Sequence, residues 1–368
     1  MDGVRRFLAL VTKEYLELKR DKSSLLLGIV LPCVLIVIIG SGLSLDVKNV
    51  PTAIVLEDTS PTARNAIRFV DGSEYFSPYY VTSRHEAEEL MEERAVSAML
   101  IVPSDFSEKR ARGEAELQIL LNGTEATTAM SAGSYLKAAV LAIVQREAIA
   151  AGSGGISIIS RVWFNDANTS AWFFIPGLLM IILTIVGILL TSVVMAKEWE
   201  RGTFESVFVT PVRVWEIILA KIVPYFSIAM IGLVFSLVVG VTLYDLPMRG
   251  SLVFTLLASM LFLLVALGIG LCISAVTKNQ FLACQVSLLL GFLPSVMLSG
   301  FLFDLQSEPM AIQIVSRFLP TTYYLEVLKS LLLGGNYYPL IVRNISILAG
   351  YACLFFCIAF KITRKEVA

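Results

Sequence analysis

Six long apolar stretches constrain this chain more than any other feature of its sequence. Each stretch lacks Asp, Glu, Lys and Arg over about the 17–25 residues that a helix needs to cross a bilayer. They are Ser23–Leu45, Ala171–Ala196, Ile222–Tyr244, Ser251–Thr277, Asn279–Phe303 and Asn344–Phe360. Hydrophobic residues make up 56% of the chain, above the usual fraction of about 45–50% in globular domains. The sequence therefore predicts an α-helical membrane protein with six transmembrane helices, and it excludes a soluble or disordered chain.

The basic residues predict that both termini are cytoplasmic. Short cytoplasmic loops carry an excess of Lys and Arg. With the N-terminus inside, the inner segments contain Arg5, Arg6, Lys13, Lys19, Arg20, Lys22, Lys197, Arg201, Arg213, Lys221, Lys278, Lys361, Arg364 and Lys365, whereas the outer short segments contain Arg249, Arg317, Lys329 and Arg343. The net charge of −1 offers no field for a polyanion, so nucleic acid is not an expected partner.

Residues 23–45 form the first span, and the long segment that follows, residues 46–170, is predicted to be an inserted extracytoplasmic α/β domain. Its strand-like runs are Thr52–Leu56, Tyr79–Thr82, Ala98–Val102 and Leu117–Leu121. They alternate with the helical patterns Thr59–Val70, Ser83–Arg94, Ser104–Arg112 and Glu125–Ala150. This alternation favours a small sheet covered by helices. The segment contains no cysteine, so we expect its apolar core to hold it together.

Few residues suggest catalysis, a metal or a cofactor. His85 is the one histidine of the chain, and we expect it to be solvated on a charged helix. All five cysteines lie in apolar stretches; Cys353 and Cys357 are spaced like a metal pair, but we interpret them as small buried residues. No Gly-Lys pair exists, which excludes a phosphate-binding P-loop. We therefore predict that the chain is not itself an enzyme, holds no metal and binds no cofactor.

The spans also lack titratable residues near their middles, where ion-coupled transporters keep them. Energy for any transport is therefore expected from another protein. Two cytoplasmic segments are candidates to receive it. Residues 1–22 have the spacing of an amphipathic interface helix, although a basic flank that merely sets topology is an alternative. The loop 197–221 is longer and more patterned than a simple connector, which favours a short helix that docks on a partner.

This loop resembles the permease subunits of type-2 ATP-binding-cassette exporters, which carry Arg-Glu-Arg-Glu-x-Gly-Thr-x-Glu, a hydrophobic run and Ser/Thr-Pro. The matching residues are Lys197, Glu198, Glu200, Gly202, Thr203, Glu205, Thr210 and Pro211, while Trp199 replaces a usual basic residue. The family's opening is matched by Lys13, Glu14, Leu18, Arg20 and Asp21, followed by Pro32 in the first span. Its branch with a large periplasmic domain is matched by Trp163, Phe164, Asn165, Asn168, Phe173, Pro176 and Gly177.

The resemblance implies a role for each part of the chain. The chain would be half of a pore in a bacterial inner membrane, paired with a second copy or a paralogue and driven by a separate cytoplasmic ATPase. The loop would be the coupling element, and Lys13, Glu14, Arg20 and Asp21 would belong to the interface helix. Family members with a periplasmic domain engage a periplasmic adaptor and export small amphiphilic or toxic compounds, so these are the expected partner and cargo, along with membrane lipid.

The remaining part, residues 171–368, is predicted to contain spans two to six and a re-entrant hairpin, residues 304–340, after the fifth span. The halves of the hairpin are apolar but short, and an extra crossing would place the basic tail outside. Gly291, Pro294 and Gly300 are predicted to lie at a dimer interface or gate, because small residues permit close backbone approach. Two alternatives stay open: a membrane-anchored binding or scaffold protein, and a secondary transporter.

Overall fold

The computed structural model describes residues 3–42, 48–123, 126–150, 170–202, 212–303 and 305–363. The chain divides into two compact units. The helical unit comprises residues 1–43 and 163–368, and the sheet unit comprises residues 44–162. Each unit has a hydrophobic core of its own.

The described elements follow one another in three groups. The first group is α1 (Gly3–Arg20) and α2 (Lys22–Gly42). The sheet unit follows with β1 (Val50–Leu56), α3 (Pro61–Ile67), β2 (Phe76–Val81), α4 (Arg84–Glu92), β3 (Ala98–Val102), α5 (Phe106–Ala111), β4 (Gln118–Leu121) and α6 (Ala126–Ala150). The last group is α7 (Ser170–Glu200), α8 (Val214–Leu243), α9 (Leu252–Thr277), α10 (Gln280–Leu298), α11 (Met310–Ser316), α12 (Pro320–Lys329) and α13 (Tyr338–Ile362).

The structure confirms the prediction of six helices that are long and apolar enough to cross a membrane: α2, α7, α8, α9, α10 and α13. The chain is therefore a multi-pass membrane protein. Two of these helices begin earlier than the charge-free stretches indicate. Helix α8 begins at Val214 and includes Glu216 and Lys221, and α13 begins at Tyr338 and includes Arg343. The sequence criterion excluded charged residues, but here these residues have partners within the fold.

Prolines explain two irregular turns in these helices. A π-helical turn at Leu26–Val30 precedes Pro32 in α2, and another at Leu288–Phe292 precedes Pro294 in α10. Proline lacks an N–H group and its ring clashes with the carbonyl one turn earlier, so a wider turn relieves the clash. Each of these two π-helical turns is thus explained by the proline that follows it. Pro176 and Pro224 instead lie inside continuous α-helices.

The sheet unit is a four-stranded mixed sheet with the strand order β2-β1-β3-β4. Strand β1 is parallel to β2 and β3, whereas β4 pairs antiparallel with β3. Side chains alternate between the faces of a strand, so the two central strands contribute to two cores. Ile54 and Leu100 pack beneath α3 and α6, while Ala53 and Met99 pack beneath α4. Each strand overlaps one of the four strand-like runs of the sequence.

The region after α10 contains two short helices, α11 and α12, where the sequence predicts the halves of a hairpin. Pro320 lies between the two helices in sequence and is the first residue of α12. Asn344 of α13 is fully buried and donates hydrogen bonds to Glu326 Oε2 at 2.8 Å and to the Tyr323 carbonyl at 3.2 Å. Arg343 Nη2 lies 3.1 Å from the same Glu326 oxygen. These polar contacts hold α12 against α13.

One interpretation of the cysteines is wrong. Cys353 and Cys357 were interpreted as buried, but both are exposed on α13. In a membrane protein an apolar sequence context also fits the outer, lipid-facing surface of a helix, so it does not imply burial within the fold. His85 lies on the exposed surface of α4 as predicted, with its Nε2 atom 3.5 Å from Glu89.

Candidate functional site

The N-terminal helix α1 is amphipathic, as its residue spacing predicts. Glu14 and Leu18 lie one turn apart and are buried, whereas Leu8 and Leu16 are exposed. The buried face packs against α8, and the hydroxyl groups of Tyr15 and Ser227 are 2.7 Å apart. An acidic residue on the buried face of such a helix requires a partner, because a lone buried charge is strongly disfavoured.

The partner of Glu14 is Lys221 of α8, and both side chains are nearly inaccessible, at 3% exposure each. Lys221 Nζ donates to Glu14 Oε1 at 2.9 Å and also donates to Glu198 Oε1 of α7. One buried ammonium group therefore joins α1 to the consecutive helices α7 and α8, which lie far from α1 in sequence. Two carboxylates around one amine offset part of the cost of removing these charges from water.

Lys13 supplies a second positive charge to this cluster. Its Nζ lies 3.0 Å from Glu14, 3.1 Å from Glu17 and 4.0 Å from Glu198. Burial by itself lowers the pKa of Lys13. The hydrogen bond and the charge of Glu14, together with Glu198 and Glu17, have the larger combined effect and hold this pKa above its usual value. Lys13 is therefore protonated at neutral pH.

The same cluster is the one place among the described residues where three potential metal ligands come together. The carboxylate oxygens of Glu14, Glu17 and Glu198 lie within 4.8 Å of one another. The ammonium groups of Lys13 and Lys221 already supply positive charge at this position. The arrangement is therefore that of an ion-pair network, which we call the lysine network: Lys13, Glu14, Glu17, Glu198 and Lys221.

Two further ion pairs extend the lysine network along α1. Asp21, which caps the start of α2, lies 3.4 Å from Lys197 Nζ of α7, and Arg6 Nη2 lies 3.7 Å from Glu216 of α8. Partial burial raises the pKa of Asp21, but its hydrogen bond from Ser24 and the charge of Lys197 lower it more, leaving a pKa below the ordinary value. Asp21 is therefore ionised and attracts Lys197.

The end of α7 also contacts the start of α10. Glu200 accepts hydrogen bonds from Asn279 Nδ2 at 2.7 Å, from the Gln280 backbone N–H at 3.0 Å and from Gln280 Nε2 at 2.6 Å. Lys278 Nζ lies 4.9 Å from the centre of the Trp199 ring, a cation–π contact. Trp199 stands where the resembling family carries a basic residue, so here a neighbouring segment brings a positive charge to that position.

Helix α7 ends at a turn in which Gly202 has a φ of +66°. This left-handed conformation is the usual one for a glycine that terminates a helix, and other residues adopt it at a cost. Of the predicted coupling residues, Thr203, Glu205, Thr210 and Pro211 lie outside the described residues.

Comparison with known proteins shows the family. The family model described as "ABC-2 family transporter protein" matches residues 22–361. The chain belongs to the ABC-2 transporter family. It is 36% identical to the "Probable multidrug ABC transporter permease YbhS" of Escherichia coli K12 over 370 aligned residues, covering 99% of this chain and 98% of that protein. This ABC-2 membership bears out the family resemblance of the sequence, and it implies a cytoplasmic ATP-binding partner.

Two more distant ABC-2 relatives also match along most of their length. The "Probable multidrug ABC transporter permease YbhR" of Escherichia coli K12 is 25% identical over 332 residues, covering 89% of this chain and 90% of the relative. The "Linearmycin resistance permease protein LnrN" of Bacillus subtilis is 22% identical over 395 residues, covering 98% of this chain and 100% of the relative. These proteins are named as permeases, which are the non-catalytic component of ABC transporters.

The structure brings together five of the eight described residues that were predicted for the coupling element and the interface helix. The contacts join two motifs that were predicted separately: Lys13 and Glu14 of α1 lie next to Glu198, and Asp21, just after α1, pairs with Lys197. Arg20 is exposed. The sequence analysis missed the central residue, Lys221, which it counted only as a cytoplasmic charge. A signal was available, because Lys221 follows the apolar residues Ile217 and Ile218 by one helical turn, so the helical period places it on their face.

The predicted gate residues of this ABC-2 chain lie along and after α10. Gly291 is buried against Ile188 of α7, where an added Cβ would lie 2.4 Å from Ile188 Cδ1. Gly300 has a φ of +80° and turns the chain toward Leu305. Contacts and backbone conformation within the chain therefore explain why glycine occupies both positions. The role of Gly291, Pro294 and Gly300 at a dimer interface or gate stays a prediction.

Proposed function

We propose that this chain is the permease subunit of an ATP-driven exporter. Two copies, or one copy and a paralogue, form the transmembrane pathway, and a separate cytoplasmic ATPase supplies the energy. The lysine network carries the proposal, since Lys221 joins α1, α7 and α8 beside the segment 203–211 whose sequence resembles the family's coupling element.

The lysine network gives this coupling a physical route. A partner that moves the segment 203–211 pulls on the end of α7 and the start of α8, which flank it. Glu198 and Lys221 hold these helices to one another and to α1, and Glu200 holds α7 to the start of α10. Ion pairs shielded from water resist separation more than exposed ones do. A displacement at the loop is therefore shared by several spans.

The remaining assignments belong to the same proposal. The permease lies in a bacterial inner membrane with both termini in the cytoplasm, residues 46–170 form a periplasmic domain that contacts an adaptor, and residues 304–340 re-enter the outer leaflet. The cargo is a small amphiphilic or toxic compound. The names of the relatives, two of which include multidrug transport, support this class of cargo.

Two substitutions test the coupling. Gly202→Pro imposes a φ near −65° where the chain has +66°, and Glu205→Ala removes a charge expected to contact the ATPase. We expect both variants to insert normally and to lose cargo-stimulated ATPase activity when co-expressed with the ATPase. Glu88→Ala, on the exposed face of α4, is the matched control and keeps it. Unchanged export in both variants would contradict the proposal.

Reconstitution separates the proposal from its alternatives. In proteoliposomes that contain the ATPase, transport should proceed without a proton or sodium gradient and stop when ATP hydrolysis is blocked. A secondary transporter would instead move cargo with the gradient alone. A membrane-anchored scaffold would bind its ligand with no transport under either condition, and co-purification of the tagged chain would recover no ATPase.

A further inference from the structure

The sheet unit contains a cavity of about 610 Å³ that the transport machinery described above does not use. It lies between the second half of α6, helix α5 and the segment leading into β4. Its walls are mainly apolar and include Ala66, Phe106, Leu117, Ile119, Val140 and Ile143. Small-molecule sites typically have volumes of about 300–1,000 Å³ and walls of this character.

Helix α6 differs in packing between its two halves. In the first half, Ala132 and Leu136 are fully buried against the sheet. In the second half, Leu141 and Val144 line the cavity and remain 48% and 54% exposed. The apolar face of α6 thus continues beyond the part that the sheet covers. Removing such apolar side chains from water is favourable, and an apolar ligand chain would provide that cover.

The charged residues of the cavity point to the sign of the ligand. Arg110 and Lys137 are the charged members among the described lining residues, and both are basic. The guanidinium carbon of Arg110 lies 5.7 Å from the centre of the Phe106 ring. An apolar chamber with two basic residues complements an anion that carries an apolar chain.

We propose that this cavity binds a single-chain amphiphile with one anionic group, such as a carboxylate or sulfonate. The apolar chain lies against Ile119, Val140 and Ile143, and the anionic group lies near Lys137 and Arg110. Binding itself does not depend on export, whereas the identification of this ligand as cargo rests on the proposed function.

Photolabelling of the full chain tests the site. The protein is placed in phosphatidylcholine nanodiscs without ATPase or ATP and exposed to dodecanoate that carries a diazirine. We expect labelling to map to peptides covering residues 106–119 and 137–144. Unlabelled dodecanoate should compete about tenfold better than dodecanol, because the two basic residues lose a charged hydrogen-bond partner when a hydroxyl group replaces the carboxylate. Arg110→Gln with Lys137→Gln should weaken labelling by a similar factor.

Three further variants keep the test decisive. Ile143→Trp and Ala115→Trp fill the cavity from opposite walls, and each should abolish labelling while circular dichroism of the full chain is unchanged. Arg146→Gln, on the same helix but outside the lining, should label like the parent. Labelling that survives both tryptophan variants, maps elsewhere, or is competed equally by dodecanol would overturn the proposal. Such a failure leaves ATPase coupling unaffected, so it is distinguishable from failure of the export function.

Discussion

The helical unit and the sheet unit each have an apolar core, but the helical unit also buries hydroxyl groups and exposes many apolar side chains. In the helical unit, Ser192 and Ser259 are fully buried, while Leu289 and Leu290 are more than 60% exposed. In the sheet unit, Ile54 and Leu100 are fully buried. The sheet unit is built like a water-soluble domain, with an apolar core, whereas the helices present apolar side chains outward, as a lipid-facing surface requires.

The two units also differ in the burial of their charged side chains. The lysine network is buried in the helical unit, where Lys221, Glu14 and Glu198 have partners in other helices. The sheet unit pairs its charges on the surface within single helices, as with Arg84 and Glu88, which are about half exposed. The same charged residue types therefore form buried ion pairs between helices in the helical unit and solvent-exposed ion pairs within helices in the sheet unit.

The sharpest way to test this contrast is to remove the central charge of the lysine network. Lys221→Met removes the buried partner of Glu14 and Glu198 and leaves them only the half-exposed Lys13, so we expect the free energy of unfolding to fall by about 3–5 kcal/mol. Denaturation of the purified protein in mixed micelles measures the loss. Arg84→Met is the matched change in the sheet unit, and its expected cost is about 0–1 kcal/mol because that pair is exposed.

A triple variant checks the reason for this effect. Glu14→Gln, Glu198→Gln and Lys221→Met together remove all three charges, and stability should recover most of what Lys221→Met alone loses. Equal destabilisation by the single and triple variants would show that packing, rather than charge, explains the loss.

A core truncation tests whether the sheet unit is an independent folding unit. Leu100→Ala in the central strand β3 removes a fully buried side chain, with an expected cost of about 2–5 kcal/mol. Limited proteolysis should then cut within residues 44–162 while the membrane helices stay intact. The isolated segment 46–170 should also melt cooperatively by circular dichroism. Leu289→Ala, at a 62% exposed position, is the control; simultaneous loss of both units in Leu100→Ala would argue against independence.

A smaller effect is expected from a buried hydroxyl in each unit. Thr191 Oγ1 donates to the Leu267 carbonyl of α9 at 2.9 Å, and Thr52 Oγ1 donates to the Val50 carbonyl at 3.0 Å. Thr191→Val should cost about 0.6 kcal/mol, the average for hydrogen bonds between membrane helices. Thr52→Val should cost about 1 kcal/mol. The measurement is the free energy of unfolding of each variant relative to the parent. A much larger loss for Thr191→Val than for Thr52→Val would contradict the expectation that hydrogen bonds between membrane helices are no stronger than those in a water-soluble domain.

The last expected effect depends on pH and is confined to the sheet unit. Hydrogen bonds from the Ser107 hydroxyl and from the Ser60 backbone lower the pKa of Asp58 from 3.8 to about 2. Because the folded pKa is depressed, the contribution of Asp58 to stability is present above about pH 4 and is lost as the pH falls toward 2. Amide exchange of α3 and α5, corrected for intrinsic rates, should rise over this window in the parent and change less in Asp58→Asn. Asp105→Asn, in an exposed pair with Lys109, is the control.

Much of the fold was predictable because it depends on local pattern. Charge-free runs long enough to cross a bilayer predict the six apolar helices, and the four strand-like runs lie where β1 to β4 form. The helical patterns were predicted to begin at Thr59 and Ser83, and in the structure the side chains of Ser60 and Ser83 accept a hydrogen bond from the backbone of the first turn. Chain-local signals of this kind do not require knowledge of what packs against them.

The sequence by itself determined the class of the protein, the number of apolar helices and the two segments that belong to the candidate coupling site. It did not determine that Glu14 meets Glu198 and Lys221, because contacts between residues about 200 positions apart depend on how helices pack. It also misplaced Cys353 and Cys357, since lipid and protein interior select the same apolar residues. Only the tertiary structure decided which charges are buried together and which apolar faces point outward, because both depend on the neighbours that folding brings to each helix.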